Sequence, residues 1–182
     1  MKVYCLVGPS AAGKSTALKL LSDNYKVLEE RYMDLNIFNL DNRLILSKWK
    51  YIDYWFSSIL EAKKKGYENL ITDRCPFDTC AYISNMKNEL FNCIDESFKE
   101  ILHLGISTKF ILINADFDEL ERRINNRILL EKDRVNYNEL DQEHNRRAYD
   151  FFIEKRNIWD AEINTSDNKP ADVVEKIEKI IV

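Results

Sequence analysis

Histidine, proline and glycine are scarce in this 182-residue chain, which has two, three and four of them. His103 and His144 fall in separate segments, and the four cysteines (Cys5, Cys75, Cys80, Cys93) form no CxxC spacing with each other or with a histidine. A zinc site is excluded on that pattern, and the cysteines read as reduced thiols. No apolar run approaches the ~20 residues of a membrane-spanning helix. The opening Met1-Lys2-Val3-Tyr4-Cys5-Leu6-Val7 is too short, and too soon followed by Gly8-Pro9-Ser10, to be a secretion signal. Nor is there an excess of positive charge, since the net charge is −4; no global field draws the chain to a nucleic-acid polymer. The expectation is a cytoplasmic protein with no membrane and no nucleic-acid partner.

What is present is 45% hydrophobic content, enough for one domain over residues 1–182 with a sizeable core. Val3 to Val7 is a short apolar run ending at a glycine, as a strand buried on both faces would be. Ala17, Leu18 and Leu21 repeat at helical spacing after Lys14. Short strands are expected at Lys26-Val27-Leu28, Leu70-Ile71-Thr72, Lys109 to Asn114 and Glu162-Ile163-Asn164. Between them, Leu44 to Lys65 reads as a long amphipathic helix closed by Lys63-Lys64-Lys65 and Gly66. A helical region is expected from Pro76 to about Leu102. Asp116 and Glu119 form a capping-box pattern for the next helix. Another helix is expected over about Glu139 to Trp159, and Pro170 opens a last one. Strand and helix alternate throughout, so the expected fold is α/β: a three-layer arrangement with a parallel sheet of about five strands covered by helices on both faces.

Two of the four glycines sit in Gly8-Pro9-Ser10-Ala11-Ala12-Gly13-Lys14-Ser15, a complete GxxxxGK[ST] pattern followed by Thr16. Average residue frequencies give such a coincidence about once in a hundred chains of this length. Here it also lies between an apolar strand and a helix, where its mechanism needs it. The glycines let successive backbone N–H groups turn toward phosphates, Lys14 follows the β- and γ-phosphates, and the Ser15 hydroxyl coordinates Mg²⁺. The helix beginning at Lys14 adds its positive end. The cofactors expected are ATP and Mg²⁺, with Gly8, Ser10, Ala11, Ala12, Gly13, Lys14, Ser15 and Thr16 as the cradle. Lys14 is expected at an exposed strand-to-helix turn.

Asp73-Arg74 directly follows the third expected strand. A carboxylate at that edge, beside the P-loop strand, can hold a magnesium-bound water or the metal itself. The adjacent arginine can grip anionic oxygens in fork geometry. Seven of the ten arginines fall between Arg122 and Arg156. Arg123 and Arg127 are four apart and share a helical face, while Arg134 lies in the polar break after it. Arginines on a mobile segment around 122–138 suit phosphoryl transfer, because they close over spreading negative charge. Arg127, nearer the break, is the better candidate; salt bridges to Glu119 and Glu131 are the alternative.

These motifs resemble those of the P-loop nucleoside and nucleoside-monophosphate kinases. Gly-Pro-Ser-Ala-Ala-Gly-Lys-Ser-Thr resembles their first loop. Asp73-Arg74 with Ala81-Tyr82 at this spacing is similar to the thymidylate kinase signature. It is also similar to the Glu/Asp-Arg-Ser element of deoxynucleoside kinases, with Cys75 in place of the serine. The resemblance implies a P-loop kinase fold, catalytic roles for Lys14, Asp73, Arg74 and Arg127, metal binding by Ser15 and Asp73, and an arginine lid entered through Glu119 to Arg127. It further implies that the loop with Thr165 lines an adenine, beside Arg123, although turn chemistry explains that loop equally well. On the acceptor side it points to Glu30 and Arg31 after the second strand. The only charge near the expected place of the phosphate-binding arginine is Lys50, close to Tyr51 and Tyr54; the aromatics on that helix read as base stacking, core packing or a homodimer face. The proline-glycine-glycine of many thymidylate kinases is replaced by Tyr32-Met33-Asp34. The function expected is ATP-dependent phosphoryl transfer to a nucleoside monophosphate, with a deoxynucleoside as the alternative acceptor. Under the first, Arg31, Arg74 and Lys50 would converge on one anion, with Glu30 orienting Arg31. Under the second, Glu29 or Glu30 would reach a 5′-hydroxyl. A P-loop hydrolase or a nucleotide-binding regulatory module fits less well.

Overall fold

A computed structural model describes residues 1–31, 45–83, 85–131 and 139–181. In chain order the elements are β1 (Lys2–Val7), α1 (Lys14–Leu21), β2 (Val27–Leu28), α2 (Ile45–Lys64), β3 (Asn69–Asp73), α3 (Asp78–Ala81) and α4 (Lys87–His103). There follow β4 (Ser107–Asn114), α5 (Phe117–Leu130), α6 (Gln142–Glu154), a 3-10 turn (Arg156–Ile158), β5 (Ala161–Asn164) and α7 (Pro170–Ile181). The five strands make one sheet in the order β2-β3-β1-β4-β5, and every pairing is parallel.

The unbroken apolar run of β1 is explained by burial on both faces. Val3, Cys5 and Val7 point into one core with Tyr51 and Trp55 of α2, Ile94 and Phe98 of α4, and Phe151 and Phe152 of α6. Tyr4 and Leu6 point into the other with Ala17 and Leu21 of α1, Leu120 of α5 and Ile177 of α7. Two layers of helices thus enclose the sheet, as expected of parallel strands joined by helical crossovers. Aromatic rings fill the first core: Phe98 stacks on Phe77 at 5.0 Å and meets the edge of Trp55 at 5.4 Å.

β1 is central, and the chain builds β2 and β3 on one side of it before crossing to β4 and β5 on the other. This reversal opens a crevice at the carboxyl end of β1, where α/β sheets take their ligands. The register sets Leu6 beside Asp73 and Val7 beside Leu112, so the ends of β1, β3 and β4 arrive there together.

Three local expectations are corrected. The helical region after Pro76 is two helices, because α3 closes with the Tyr82 N–H on the Thr79 carbonyl and Met86 takes a left-handed φ of 57°. The Asp116–Glu119 capping box does not form: Asp116 makes no side-chain cap bond, and Glu119 instead holds Arg122 and Arg123 at 2.7 Å. The helix expected over about Glu139 to Trp159 begins at Gln142, where Asp141 Oδ1 accepts the His144 N–H at 2.9 Å. It ends at Glu154, before the 3-10 turn. Tyr32-Met33-Asp34, Arg134 and the lid break lie outside the described residues. Among the described residues no helix is long and apolar enough to cross a membrane.

Candidate functional site

The phosphate-loop sequence leaves β1 through three backbone conformations of positive φ: Gly8 at 139°, Ala11 at 61° and Gly13 at 98°. Two are glycine for stated reasons. A Cβ on Gly8 would overlap the Ile113 carbonyl oxygen of β4, and Gly13 is the left-handed N-cap of α1. Positive-φ residues interleaved in a turn gather backbone N–H groups around a concavity that accepts anions. Ser10 and Ala11 are half-buried on its rim, Ala12 is buried beneath it, and Ser15 and Thr16 are exposed on the first turn of α1.

Lys14 departs from expectation. It is only 4% exposed, folded back so that Nζ donates to the carbonyls of Gly8 at 2.8 Å and Pro9 at 2.7 Å. Burial, then the neighbouring Arg74 cation, push its pKa down to about 7, against the pull of Asp73, Asp78 and Glu30. A buried ammonium resting on two carbonyls is placed where a phosphate oxygen can replace them.

Ser15 and Asp73 meet as expected. The Ser15 hydroxyl donates to Asp73 Oδ2 at 2.6 Å, while Asp73 Oδ1 is buried without a hydrogen-bond partner. Burial raises the Asp73 pKa and Lys14 opposes it. An orphaned carboxylate oxygen beside a hydroxyl, at the mouth of a phosphate cradle, fits Mg²⁺. That ion keeps waters and substrate phosphates among its ligands and needs no protein cage. No group of three or more His, Cys, Asp or Glu gathers as a metal site among the described residues.

Arg74 holds the opposite wall. It is left-handed at φ 68°, an uncommon conformation for a side chain of this size. Its N–H donates to the Leu6 carbonyl at 2.9 Å, and its own carbonyl accepts the Thr72 hydroxyl at 2.7 Å. The guanidinium Nη1 reaches the Gly8 carbonyl at 3.1 Å and Asp78 Oδ1 at 3.2 Å. Its Nε lies 2.9 Å from Glu30 Oε2, an ion pair by distance although the N–H is not aimed along the contact. Burial works against this charge, but Glu30, then Tyr82, Asp78 and Asp73, outweigh it and hold Arg74 protonated.

On this wall Glu30 pairs with Arg74, and Arg31 is exposed. Lys50 is half-exposed, whereas Lys48 is buried, with Nζ 5.7 Å from the Tyr82 ring. Arg74 lies 5.5 Å from the same ring. Helical phase could have found Lys48, which belongs to the buried stripe Lys48, Ile52, Trp55, Ile59, Ala62. Tyr51 is core, 2% exposed; burial and the nearby Glu30 carboxylate raise its hydroxyl pKa well above the ordinary value. Asp78 escaped the sequence reading altogether. It is 1% exposed, and beyond Arg74 it accepts the N–H of Gly8 at 3.2 Å and of Cys75 at 3.0 Å. Its signal was an acid two residues after Pro76, at a helix start.

Arg123 and Arg127 take separate partners. Arg123 Nη1 donates to Thr165 Oγ1 at 3.0 Å and to the Ala11 carbonyl at 3.4 Å, and Nη2 donates to the Thr165 carbonyl at 2.8 Å. Thr165 is buried, with its hydroxyl 3.0 Å from the carbonyls of Ala12 and Asn114. Arg123 and Thr165 therefore join α5 and the β5–α7 loop to the phosphate loop. Arg127 pairs with Glu139 at 2.5 Å. The intrahelical alternative is met at Glu119, which pairs with Arg122 and Arg123.

No protein-family model matches the sequence, and no curated protein matches it. Solved structures do. A deoxyadenosine kinase from M. mycoides with the products dCMP and a flexible dCDP bound is 16% identical, with a TM-score of 0.64, over 99% of this chain and 98% of that one. The same enzyme with bound dATP is 18% identical, with a TM-score of 0.64, over 99% and 98%. The YorR protein of Bacillus subtilis, in complex with phosphorylated GDP, is 15% identical, with a TM-score of 0.55, over 98% and 95%. At these identities the likeness is one of fold, and it extends over nearly the whole chain.

Proposed function

From a chain folded as the P-loop kinases are, we propose ATP-dependent phosphoryl transfer to the 5′-hydroxyl of a deoxynucleoside. The observation that carries the reading is the Glu30–Arg74 pair at 2.9 Å, set across the Gly8 carbonyl from Lys14. A hydroxyl must lose its proton as it attacks, so a positioned carboxylate helps it. A monophosphate attacks with an oxygen already anionic and needs cationic clamps instead. Here the guanidinium of Arg74 is committed to two carboxylates and a backbone carbonyl, which suits a neutral acceptor better than a dianion. The neighbours described as deoxyadenosine kinases support the same choice.

In this reading Glu30 takes the 5′-hydroxyl proton. The new O–P bond forms at the γ-phosphorus as the bond to the bridging β,γ-oxygen breaks, and ADP leaves. Lys14 exchanges its two carbonyls for phosphate oxygens and stays cationic against their charge. Arg74 keeps Glu30 ionised and in place. Arg123 and Thr165 brace the loop around ATP, and Arg127 supplies a further cation from the end of α5. Ser15 and Asp73 would hold Mg²⁺, which when bound neutralises charge on the β- and γ-phosphates.

The spacing of Asp73-Arg74 and Ala81-Tyr82 favours a monophosphate acceptor, so the test is a direct comparison. Each of the four deoxynucleosides and its 5′-monophosphate is assayed with ATP and Mg²⁺. Phosphorylation of at least one nucleoside, with its monophosphate inert, is expected. Transfer to monophosphates alone would replace this reading with the second one, and no transfer to either class would end both.

A further inference from the structure

Asp78 does more than a helix start requires. Its Oδ2 accepts the Cys75 N–H and closes the turn Cys75-Pro76-Phe77-Asp78, a back-reaching role that glutamine fills elsewhere without a buried charge. Its Oδ1 faces the other way. That oxygen accepts the Gly8 N–H at 3.2 Å and Nη1 of Arg74 at 3.2 Å, while the same Nη1 donates to the Gly8 carbonyl at 3.1 Å. One carboxylate therefore fixes the first residue of the phosphate loop and the arginine of the acceptor wall against each other. Carboxylates are costly to bury, and at 1% exposure this one carries that cost beside Arg74 and Lys14.

We infer that Asp78 is a positioning residue, setting the distance between the phosphate loop and Arg74 and hence between the two reacting groups. The inference rests on the proposed transfer reaction, in which Arg74 in turn holds Glu30. Asp78 bonds to Gly8, Cys75 and Arg74, so it acts on the reaction through Gly8 and Arg74. A neutral amide in its place would present an N–H₂ group to N–H donors on one side or the other and remove the charge facing Arg74. Either the Cys75 turn or the loop–arginine contact is then lost, and the hold on Arg74 weakens.

The test compares wild type, Asp78→Asn, Arg74→Met and the double variant in steady-state transfer. Asp78→Asn is expected to lower kcat about 10²-fold, the scale of a misplacement near 1 Å. The KM for ATP should stay within about threefold, because that is ground-state binding. The double variant should be no worse than Arg74→Met by more than about threefold, since both changes act through one unit. Losses that multiply in the double variant, or a wild-type kcat in Asp78→Asn, would overturn the inference. Wild-type activity in Arg74→Met would instead strike the underlying reaction reading. If Asp78→Asn does not fold, Asp78→Glu keeps the charge and moves it by one methylene. A lowered kcat with unchanged KM for ATP supports positioning there, and an unchanged kcat refutes it.

Discussion

The phosphate loop and the proposed acceptor wall face each other across one carbonyl, that of Gly8, yet they are built in opposite ways. The loop is contiguous, from Gly8 to Ser15, and its shape follows from positive-φ residues close in sequence. The wall draws Glu30 from beyond β2, Lys48 and Tyr51 from α2, Arg74 from the end of β3, Asp78 from α3 and Tyr82 after it. A site made of backbone is written locally, because a glycine at a required φ is a local necessity. A site made of converging side chains depends on strand register and helix phase, which no short pattern encodes.

The contrast breaks most severely at Lys14, where local motif and long-range electrostatics meet. Lys14→Met should lower transfer about 10³-fold, as removal of a charge-stabilising group at the transition state does. Its stability effect has an unusual sign. The folded pKa of about 7 lies below the ordinary lysine value of 10.5, so between those limits the unfolded chain binds a proton that the folded chain releases. The lysine's contribution to stability is therefore fully present above 10.5 and lost as pH falls to 7. At pH 6 the ligand-free fold carries the buried ammonium at full cost. Thermal melting of ligand-free protein at pH 6 should show Lys14→Met at or above wild type. A clearly lower midpoint would mean that the two carbonyl contacts outweigh the buried charge.

On the wall, Glu30→Gln should lower kcat for the nucleoside about 10²-fold at neutral pH, the lower range for losing a general base. Its shape is retained and only the basicity is lost. Binding of ATP, read by calorimetry, should change little, because Glu30 reaches the loop only through Arg74 and a minor pull on Lys14. Full activity in this variant would leave the Glu30–Arg74 pair a structural contact and return the acceptor to a monophosphate.

Much of the fold could be read from sequence for the same reason that the loop could. All five strands were expected within a few residues of where they lie, because β1 to β4 hold short apolar runs bounded by polar residues or glycine and β5 follows the alternation. The parallel order followed from alternation. Expectations failed where partners are distant. The capping box at Asp116 gave way because Arg122 and Arg123 compete for Glu119, and the Asp116 N–H is taken by the Ser166 hydroxyl at 2.9 Å. Lys14 was expected exposed because a motif shows a turn but not the strands and helices packed over it. Lys48, the buried lysine, was not singled out because its sequence neighbourhood resembles that of Lys50, and only the phase of α2 separates them. Asp78 is the clearest instance: its position at a helix start is readable, but Gly8, 70 residues away, is not.

The smallest expected effects lie within α5, where adjacent arginines sharpen the comparison between a wall and a solvated face. Arg122 and Arg123 both pair with Glu119, each at 2.7 Å. The Arg122 side chain is 64% exposed and reaches nothing else that bears on the site, whereas that of Arg123 is 25% exposed and spans Thr165 and the Ala11 carbonyl. Arg123→Ala should raise the KM for ATP about tenfold, the equivalent of losing one charge-assisted hydrogen bond net of solvent. Arg122→Ala should leave both kcat and KM at wild-type values, since an exposed ion pair is screened and costs side-chain entropy to hold. Salt provides the second axis. Raising ionic strength should erode whatever the Arg122–Glu119 pair contributes to melting, while leaving the difference in KM between Arg123→Ala and wild type in place, because partly buried contacts are screened less. If the two variants behaved alike in KM, the donor site would not extend to α5, and Arg123 would join Arg122 as surface charge.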